Sequence, residues 1–175
     1  MCSSDLSCNT ELLSETRSLA GVLCNLKGRV IADFRLLQRD DDILMQCARG
    51  MAEKVLATLG KYAVFSKVEL AQLDSNSGNA PRVLGVLNDG AREALAILGL
   101  ELPDSANGVR ASANCSAVRI SSPSERIELW MHSEATAQQL IAALETALSD
   151  DLDAWHSADI EAGIVHVTPN LSEEY

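Results

Sequence analysis

Residues 17–48 alternate between short apolar segments and turn signals, a pattern typical of an antiparallel β-meander. Three strands are predicted, at Arg17–Cys24, Arg29–Leu37 and Ile43–Ala48. The first turn ends at Gly28, which tolerates positive φ, and the second is the acidic run 40–42. A helix is predicted from Gly50 to about Gly60, and a further strand at Val64–Leu70. The chain therefore begins as a sheet of local hairpins with one helix.

A second unit follows the polar stretch 74–81, Asp-Ser-Asn-Ser-Gly-Asn-Ala-Pro, which is the clearest linker. Its elements are predicted as a strand at 83–87, a helix that begins at Asn88 or Asp89 and ends at Gly99, strands at 116–121 and 126–132, and a helix capped by Ser133. The order β-α-β-β-α is one strand short of a ferredoxin-like unit. We expect a strand of the first unit or of the tail to complete it.

The predicted class is therefore α+β, with an antiparallel meander and helix beside a ferredoxin-like unit at 82–148. Residues 149–175 are too few for a separate domain. We expect them to fold back onto residues 1–74, so that the first domain contains both ends of the chain.

Charge and composition exclude several classes of function. The net charge of −11 opposes nonspecific binding of nucleic acid, and two residues each of Phe, Trp and Tyr make a base-stacking surface improbable. Between Arg17 and Lys67 there are nevertheless nine lysines and arginines against five acids. After Arg126 the sequence contains no lysine and no arginine. The early half is thus suited to a small anionic ligand, although the acidic tail is equally consistent with a solvated surface.

The cysteines and histidines do not form a recognisable metal or catalytic pattern. The five cysteines lack a Cys-x-x-Cys pair, and the three histidines are scattered, so no metal site is expected. An odd number of cysteines without a secretory signal or a membrane-length apolar run favours reduced thiols in the cytoplasm. We expect the cysteines to serve in packing and the chain to bind no membrane.

Three short segments of the sequence are more informative about function than the spacing of the cysteines and histidines. They are Lys27-Gly28-Arg29-Val30, Lys61-Tyr62-Ala63-Val64-Phe65-Ser66-Lys67-Val68 and Ile160-Glu161-Ala162-Gly163. Together, and in this order, they resemble the YgfZ family of folate-binding proteins, which is related to the aminomethyltransferase (T-protein) of the glycine cleavage system. The second string is specific to the YgfZ branch, and the other two are shared more widely.

The resemblance implies that tetrahydrofolate is the cofactor and that iron–sulfur enzymes, including those that thiolate tRNA, are clients. It further implies that Trp155 and Glu161 contact the folate. A carboxylate can accept two parallel N–H bonds from a pterin, and an indole offers a flat apolar wall. The alternatives are that Trp155 is a core aromatic and that Glu161 is a surface acid at a strand end.

Two further residues are weaker candidates for the same site. In the T-protein relatives the strand after the first turn has two consecutive acids, one of them catalytic, whereas this chain has Ala32-Asp33. Asp33 faces away from Phe34 by alternation, into a pocket or into water. Lys27 is placed to meet the glutamate tail of folate, or is simply a solvated turn residue. Arg29 is expected to be solvated.

The resemblance also predicts that this chain is a family member shortened at both ends. The family's Lys-Gly-Cys-Tyr string would follow Tyr175. The favoured function is a folate-binding accessory protein for iron–sulfur enzymes, without turnover of its own. The alternatives are a folate-dependent one-carbon transferase, which the single acid at Asp33 disfavours, and a folate-independent interaction module.

Overall fold

The computed structural model describes residues 7–63, 66–73, 80–144 and 152–174. They fall into two compact units, one within Met1–Gln72 and Val165–Tyr175 and the other within Leu73–Ile164. Both have antiparallel sheets and helices, which confirms the α+β class. The predicted linker at 74–81 lies mostly outside the described residues.

The first unit is built on the predicted meander. Its strands β1 (Leu19–Cys24), β2 (Val30–Arg39) and β3 (Asp42–Cys47) pair in that order, and helix α1 spans Ala52–Ala63. In the turn between β1 and β2, Asn25 Oδ1 accepts bonds from the amides of Lys27 and Arg29, and Gly28 has φ +77°. The turn chemistry that the sequence indicated therefore sets the register.

The meander and α1 share an apolar core. The buried members of the core are Leu19, Leu23, Ile31, Ala32, Phe34, Leu36, Met51 and Val55. These residues come from β1, β2 and the start of α1, whose apolar positions recur at helical spacing. Burial of this shared surface holds the helix on the meander.

The prediction of a strand at Val64–Leu70 has to be corrected. Residues 64 and 65 lie outside the described residues, and residues 66–73 contain a turn but no strand. Val68 and Leu70 are exposed. A strand needs a partner for its backbone N–H and C=O groups, and none of the described strands pairs with this segment.

Residues 165–174 return to the first unit through a network around Glu173. The Glu173 carboxylate contacts Lys54 Nζ at 2.7 Å and accepts a 2.8 Å bond from Asn25 Nδ2. Its amide donates to the Val30 carbonyl at 2.7 Å, and its own carbonyl accepts from Arg29 Nη1 at 2.8 Å. Arg29, expected to be solvated, thus helps to hold the tail on β2.

The second unit is a four-stranded sheet in the order β4-β7-β6-β5, antiparallel throughout. The strands are β4 (Arg82–Leu87), β5 (Val109–Ala111), β6 (Cys115–Arg119) and β7 (Arg126–Met131), and the helices are α2 (Asp89–Leu98), α3 (Glu134–Ala143) and α4 (Asp153–Glu161). Helix α2 ends at Gly99, as predicted, in a left-handed conformation. The fourth strand, which was expected from the first unit or the tail, is β5, and it lies between α2 and β6, where no strand was predicted.

The two faces of this sheet are covered differently. One face packs against α2 and α3, where Ala94, Leu95, Leu129 and Leu140 are buried together. Alternation places Gly85, Arg126, Glu128 and Trp130 on the other face. Helix α4 contributes Trp155 to that second face, because its indole lies against Gly85.

Residues 152–164 therefore pack with the second unit, whereas the sequence predicted that the chain would rejoin the first unit at residue 149. The physical reason is the set of contacts that α4 makes with β4 and β7, through Trp155 and Asp159. The return to the first unit begins at Val165.

Candidate functional site

Trp155 lies in α4, partly buried, and its indole contacts the sheet of the second unit. A Cβ atom built on Gly85 would stand 2.6 Å from the indole Cε3 and Cζ3 atoms, which is closer than real Cβ contacts. Only glycine permits this approach without displacement of the ring. The glycine inside β4 is therefore the position at which the Trp155 ring packs against the sheet.

A buried arginine holds the same indole from another direction. The Cζ atom of Arg126 lies 4.7 Å from the indole centroid of Trp155, within the range of a cation–π contact. Arg126 is 0% exposed, and its Nη1 donates to Asp159 Oδ1 at 2.7 Å and to the Trp155 carbonyl at 3.3 Å. Trp155 and Asp159 are four residues apart, so one guanidinium contacts two consecutive turns of α4.

Glu161 is the last residue of α4 and is exposed to solvent. It is six residues beyond Trp155, which rotates it to a different side of the helix. A carboxylate here is accessible to a ligand but has no buried environment of its own. Its contact with folate stays a prediction.

Asp33 lies in β2 of the first unit, and both of its carboxylate oxygens have partners. Oδ1 accepts a 2.7 Å bond from the Val167 amide, and Oδ2 is 2.8 Å from His166 Nδ1. Because a carboxylate only accepts, Nδ1 must carry the proton in this bond. Asp33 thus fixes the tautomer of a half-exposed histidine and ties the returning tail to β2.

The charge of Asp33 is stabilised in the folded state. Burial is the largest influence and by itself raises the pKa of Asp33, but the bonds from His166 and from the Val167 amide, together with the His166 charge and a backbone bond, lower the pKa below its usual value of 3.8. Across the sheet, burial first and the Asp33 charge second raise the pKa of the Cys47 thiol. Cys47 is therefore a poor nucleophile in this environment.

A depressed pKa means that Asp33 stabilises the fold at pH values above 3.8, and that this contribution is lost as the pH falls through the lower folded value. We expect Asp33→Asn to lower the free energy of unfolding by about 1–2 kcal/mol at pH 7, since a bond to a charged acceptor is replaced by a neutral one. The difference from wild type should narrow below about pH 4. Urea denaturation at several pH values measures it.

Asp41→Asn is the matched control for this experiment, because Asp41 is an exposed acid in the turn between β2 and β3. It should leave stability nearly unchanged at every pH. A constant difference between wild type and Asp33→Asn from pH 7 to pH 3 would contradict the stabilising role of the Asp33 charge.

Lys27 is exposed in the turn between β1 and β2. Its amide bonds to Asn25, which fixes the backbone of the turn and leaves the ammonium in water. The geometry is compatible with attraction of an anionic group and equally with a solvated turn residue.

The four predicted residues thus lie in two places. Trp155 and Glu161 both lie in α4 of the second unit. In the first unit, Asp33 lies in β2 and Lys27 lies in the turn before it. Sequence reasoning missed the partners that hold two of them. His166 is 133 residues from Asp33, and Arg126 is 29 residues from Trp155.

Some of these partners had a sequence signal. An apolar strand with a glycine in its interior, such as 82–87, indicates close approach by another group. Arg126 is the last basic residue of the chain and starts an apolar strand, which is an unusual position for a cation. The partner of either residue was not predictable, because side-chain pairing at long range follows from packing.

The cysteines in the described ranges are buried or partly buried. Four cysteines there, Cys8, Cys24, Cys47 and Cys115, have free thiols. Burial raises the pKa of Cys115 to about 12.

Within the described residues, no group of three or more His, Cys, Asp or Glu side chains is arranged to hold a metal ion. None of the helices in these ranges combines the length and the apolar character needed to cross a bilayer.

Sequence comparison finds relatives with one shared description. The chain is 36% identical over 151 residues to the "tRNA-modifying protein YgfZ" of Photorhabdus laumondii, an overlap of 86% of this chain and 44% of the relative. It is 34% identical over 155 residues to the protein of the same name in Yersinia pseudotuberculosis, with 87% and 45% covered. The Serratia proteamaculans protein is 36% identical over 141 residues, with 80% and 41% covered.

The chain therefore spans less than half the length of these curated relatives. No family model matches it.

Structure comparison gives the same fold. The glycine cleavage system aminomethyltransferase T of Bartonella henselae superposes with a TM-score of 0.61 at 18% identity, over 79% of this chain and 39% of that protein. An identity this low carries the fold alone.

The α+β architecture predicted from the order of strands and helices is thus confirmed by an independent comparison. At 33–36% identity over most of its length, and with the fold of an aminomethyltransferase, this chain is similar to YgfZ proteins, as the three strings predicted.

Proposed function

We propose that this chain takes part in binding tetrahydrofolate, as an accessory protein for iron–sulfur enzymes in the cytoplasm, and that it thereby supports tRNA modification. The observation that carries the proposal is the similarity to tRNA-modifying YgfZ proteins over 86% of the chain. Nucleic acid itself is not the proposed ligand, because a net charge of −11 repels a polyanion.

The proposed contact residues in the second unit are Trp155 and Glu161. The indole is only partly buried and is held in one place by Gly85 and Arg126, so its remaining surface is available as a rigid apolar wall. The Glu161 carboxylate is exposed, and within the described residues no donor occupies it, so it can accept bonds from the N–H groups of a pterin. A fixed wall and an accessible acceptor are the two elements that recognition of this heterocycle requires.

The accessory role is better supported than the transferase role. Transferases of the T-protein type have two consecutive acids on this strand, one of them catalytic, whereas this chain has Ala32 followed by the single acid Asp33. The remaining acid, Asp33, already accepts bonds from His166 and Val167 with its two oxygens. Its lowered pKa also makes it a weak base for a substrate proton.

Titration of the chain with tetrahydrofolate tests the proposal. We expect saturable binding by calorimetry, with quenching of the Trp155 fluorescence. Glu161→Ala should weaken binding about tenfold to hundredfold, because bonds to a charged acceptor contribute about 1.5–3 kcal/mol. Glu134→Ala is the matched control, since Glu134 is an exposed acid at the start of α3 in the same unit.

Three results would contradict this proposal. Absence of saturable binding would remove the folate function and favour a folate-independent interaction module. Equal affinities of Glu161→Ala and Glu134→Ala would remove Glu161 from the site. Turnover of folate with an aminomethyl donor would replace the accessory role by the transferase role.

A further inference from the structure

Arg126 is an expensive residue to bury in the position that it occupies. Its guanidinium is 0% exposed, and Nη1 donates hydrogen bonds to Asp159 and to the Trp155 carbonyl. The Nε and Nη2 atoms of Arg126 have no partner among the described residues. A buried ion pair of this kind seldom stabilises a fold more than well-packed apolar residues of similar volume do. Its presence therefore calls for a role besides stability.

The geometry around the guanidinium indicates what that role is. The Cζ atom of Arg126 lies 4.7 Å from the centroid of the Trp155 ring. Its Nη1 atom donates to the backbone carbonyl of Trp155 at 3.3 Å and to the carboxylate of Asp159, one helical turn further, at 2.7 Å. It thus fixes both the turn of α4 that bears the tryptophan and the plane of the indole itself. An apolar side chain of similar size would fill the space but would supply neither constraint.

Gly85 limits the same indole independently. Its position in β4 brings the sheet backbone against the benzo ring, and a single added methyl group would overlap the ring at 2.6 Å. The ring is consequently in contact with both a cation from β7 and a glycine from β4. Both contacts come from the rigid sheet, which is a better support for a binding group than a loop.

We propose that Arg126, with Asp159 and Gly85, positions the Trp155 indole for the folate ring, so that Arg126 is a positioning residue of the site although it does not touch the ligand. The ligand part of this inference rests on the proposed function. Preorganisation of an aromatic wall raises affinity because its orientation is not lost as entropy on binding.

The test replaces the ion pair without leaving a lone buried charge. The double variant Arg126→Met/Asp159→Leu is expected to keep an unfolding midpoint close to that of wild type. We expect its Trp155 to become more mobile, seen as lower fluorescence anisotropy and stronger quenching by iodide without folate. Trp130 is 2% exposed and therefore contributes little to the iodide signal. Tetrahydrofolate affinity should fall about threefold to thirtyfold, the equivalent of one cation–π contact.

Gly85→Ala gives a second, independent displacement of the ring. It should likewise change the iodide signal and weaken tetrahydrofolate binding. Gly90→Ala is its control, because the added Cβ would meet Val86 at an ordinary 3.7 Å. Arg92→Met is the control for the arginine, since Arg92 is exposed and pairs with Glu125 in the same unit.

The outcomes separate this inference from the proposed function. An unchanged indole signal in both Arg126→Met/Asp159→Leu and Gly85→Ala overturns the positioning role. An altered indole with unaltered folate affinity shows that the cluster orders Trp155 but does not serve the ligand, which also overturns the inference. No folate binding by wild type refutes the proposed function, and the anisotropy and iodide measurements still decide whether Arg126 orders the indole.

Discussion

Replacement of Asp159 by alanine is expected to destabilise the second unit by about 3–5 kcal/mol, the largest effect that we predict for a single substitution. The variant leaves the Arg126 guanidinium 0% exposed and without its carboxylate, while Nε and Nη2 already have no partner among the described residues. An uncompensated buried charge is far more costly than the loss of the pair as a whole.

The measurement is urea denaturation followed by tryptophan fluorescence. Both tryptophans lie in the second unit, so this signal reports on that unit. Glu161→Ala is the control on the same helix, because Glu161 is an exposed acid at its C-terminal end, where a negative charge is unfavourable. It should be neutral or slightly stabilising.

The paired replacement Arg126→Met/Asp159→Leu sharpens this prediction. It should cost no more than about 1 kcal/mol, because no unpaired charge remains in the interior. If Asp159→Ala and the paired replacement are equally destabilising, the cost arises from lost packing and not from the orphaned cation. That result would contradict the electrostatic account of this cluster.

Leu23→Ala is expected to have a comparable effect on the first unit, a loss of about 2–5 kcal/mol in the free energy of unfolding. Leu23 is 0% exposed in β1 and belongs to the core between the meander and α1. Truncation removes buried methyl groups and leaves a cavity that a tightly hydrogen-bonded sheet can fill only in part.

Leu26→Ala is a stringent control, since Leu26 is three residues away, has the same side chain and is 90% exposed. It should change stability by less than about 0.5 kcal/mol. Unfolding followed by circular dichroism includes the first unit, which contains no tryptophan. Similar losses in the two leucine variants would contradict the assignment of the core.

Local order was largely readable from the residues. The strands β1 to β3 follow from the alternation of apolar residues between two turn signals, and α2 ends where Gly99 permits a left-handed conformation. Such features depend on neighbours within a few residues, so their physical cause is contained in the local sequence. The strand predicted at Val64–Leu70 shows the limit, because an apolar run becomes a strand only when a partner strand is present.

The candidate site divides in the same way. The strings around Lys27, Lys61–Val68 and Glu161 were sufficient to identify the relatives, and they brought Trp155 to attention. They did not indicate that Asp33 is bonded to His166, or that Trp155 rests on Gly85. Each of those contacts joins residues far apart in the chain, and many other pairings were compatible with the same local patterns.

The amino-acid order by itself determined the meander, the end of α2 at Gly99 and the resemblance to YgfZ proteins, since hydrophobic period and turn chemistry act over short distances. Only the tertiary structure decided that α4 lies on the second sheet, because Arg126 had to meet both the Trp155 indole and the Asp159 carboxylate, and Gly85 had to meet the same indole. That meeting is set by packing and by the electrostatic cost of burying a charge, neither of which a local pattern contains.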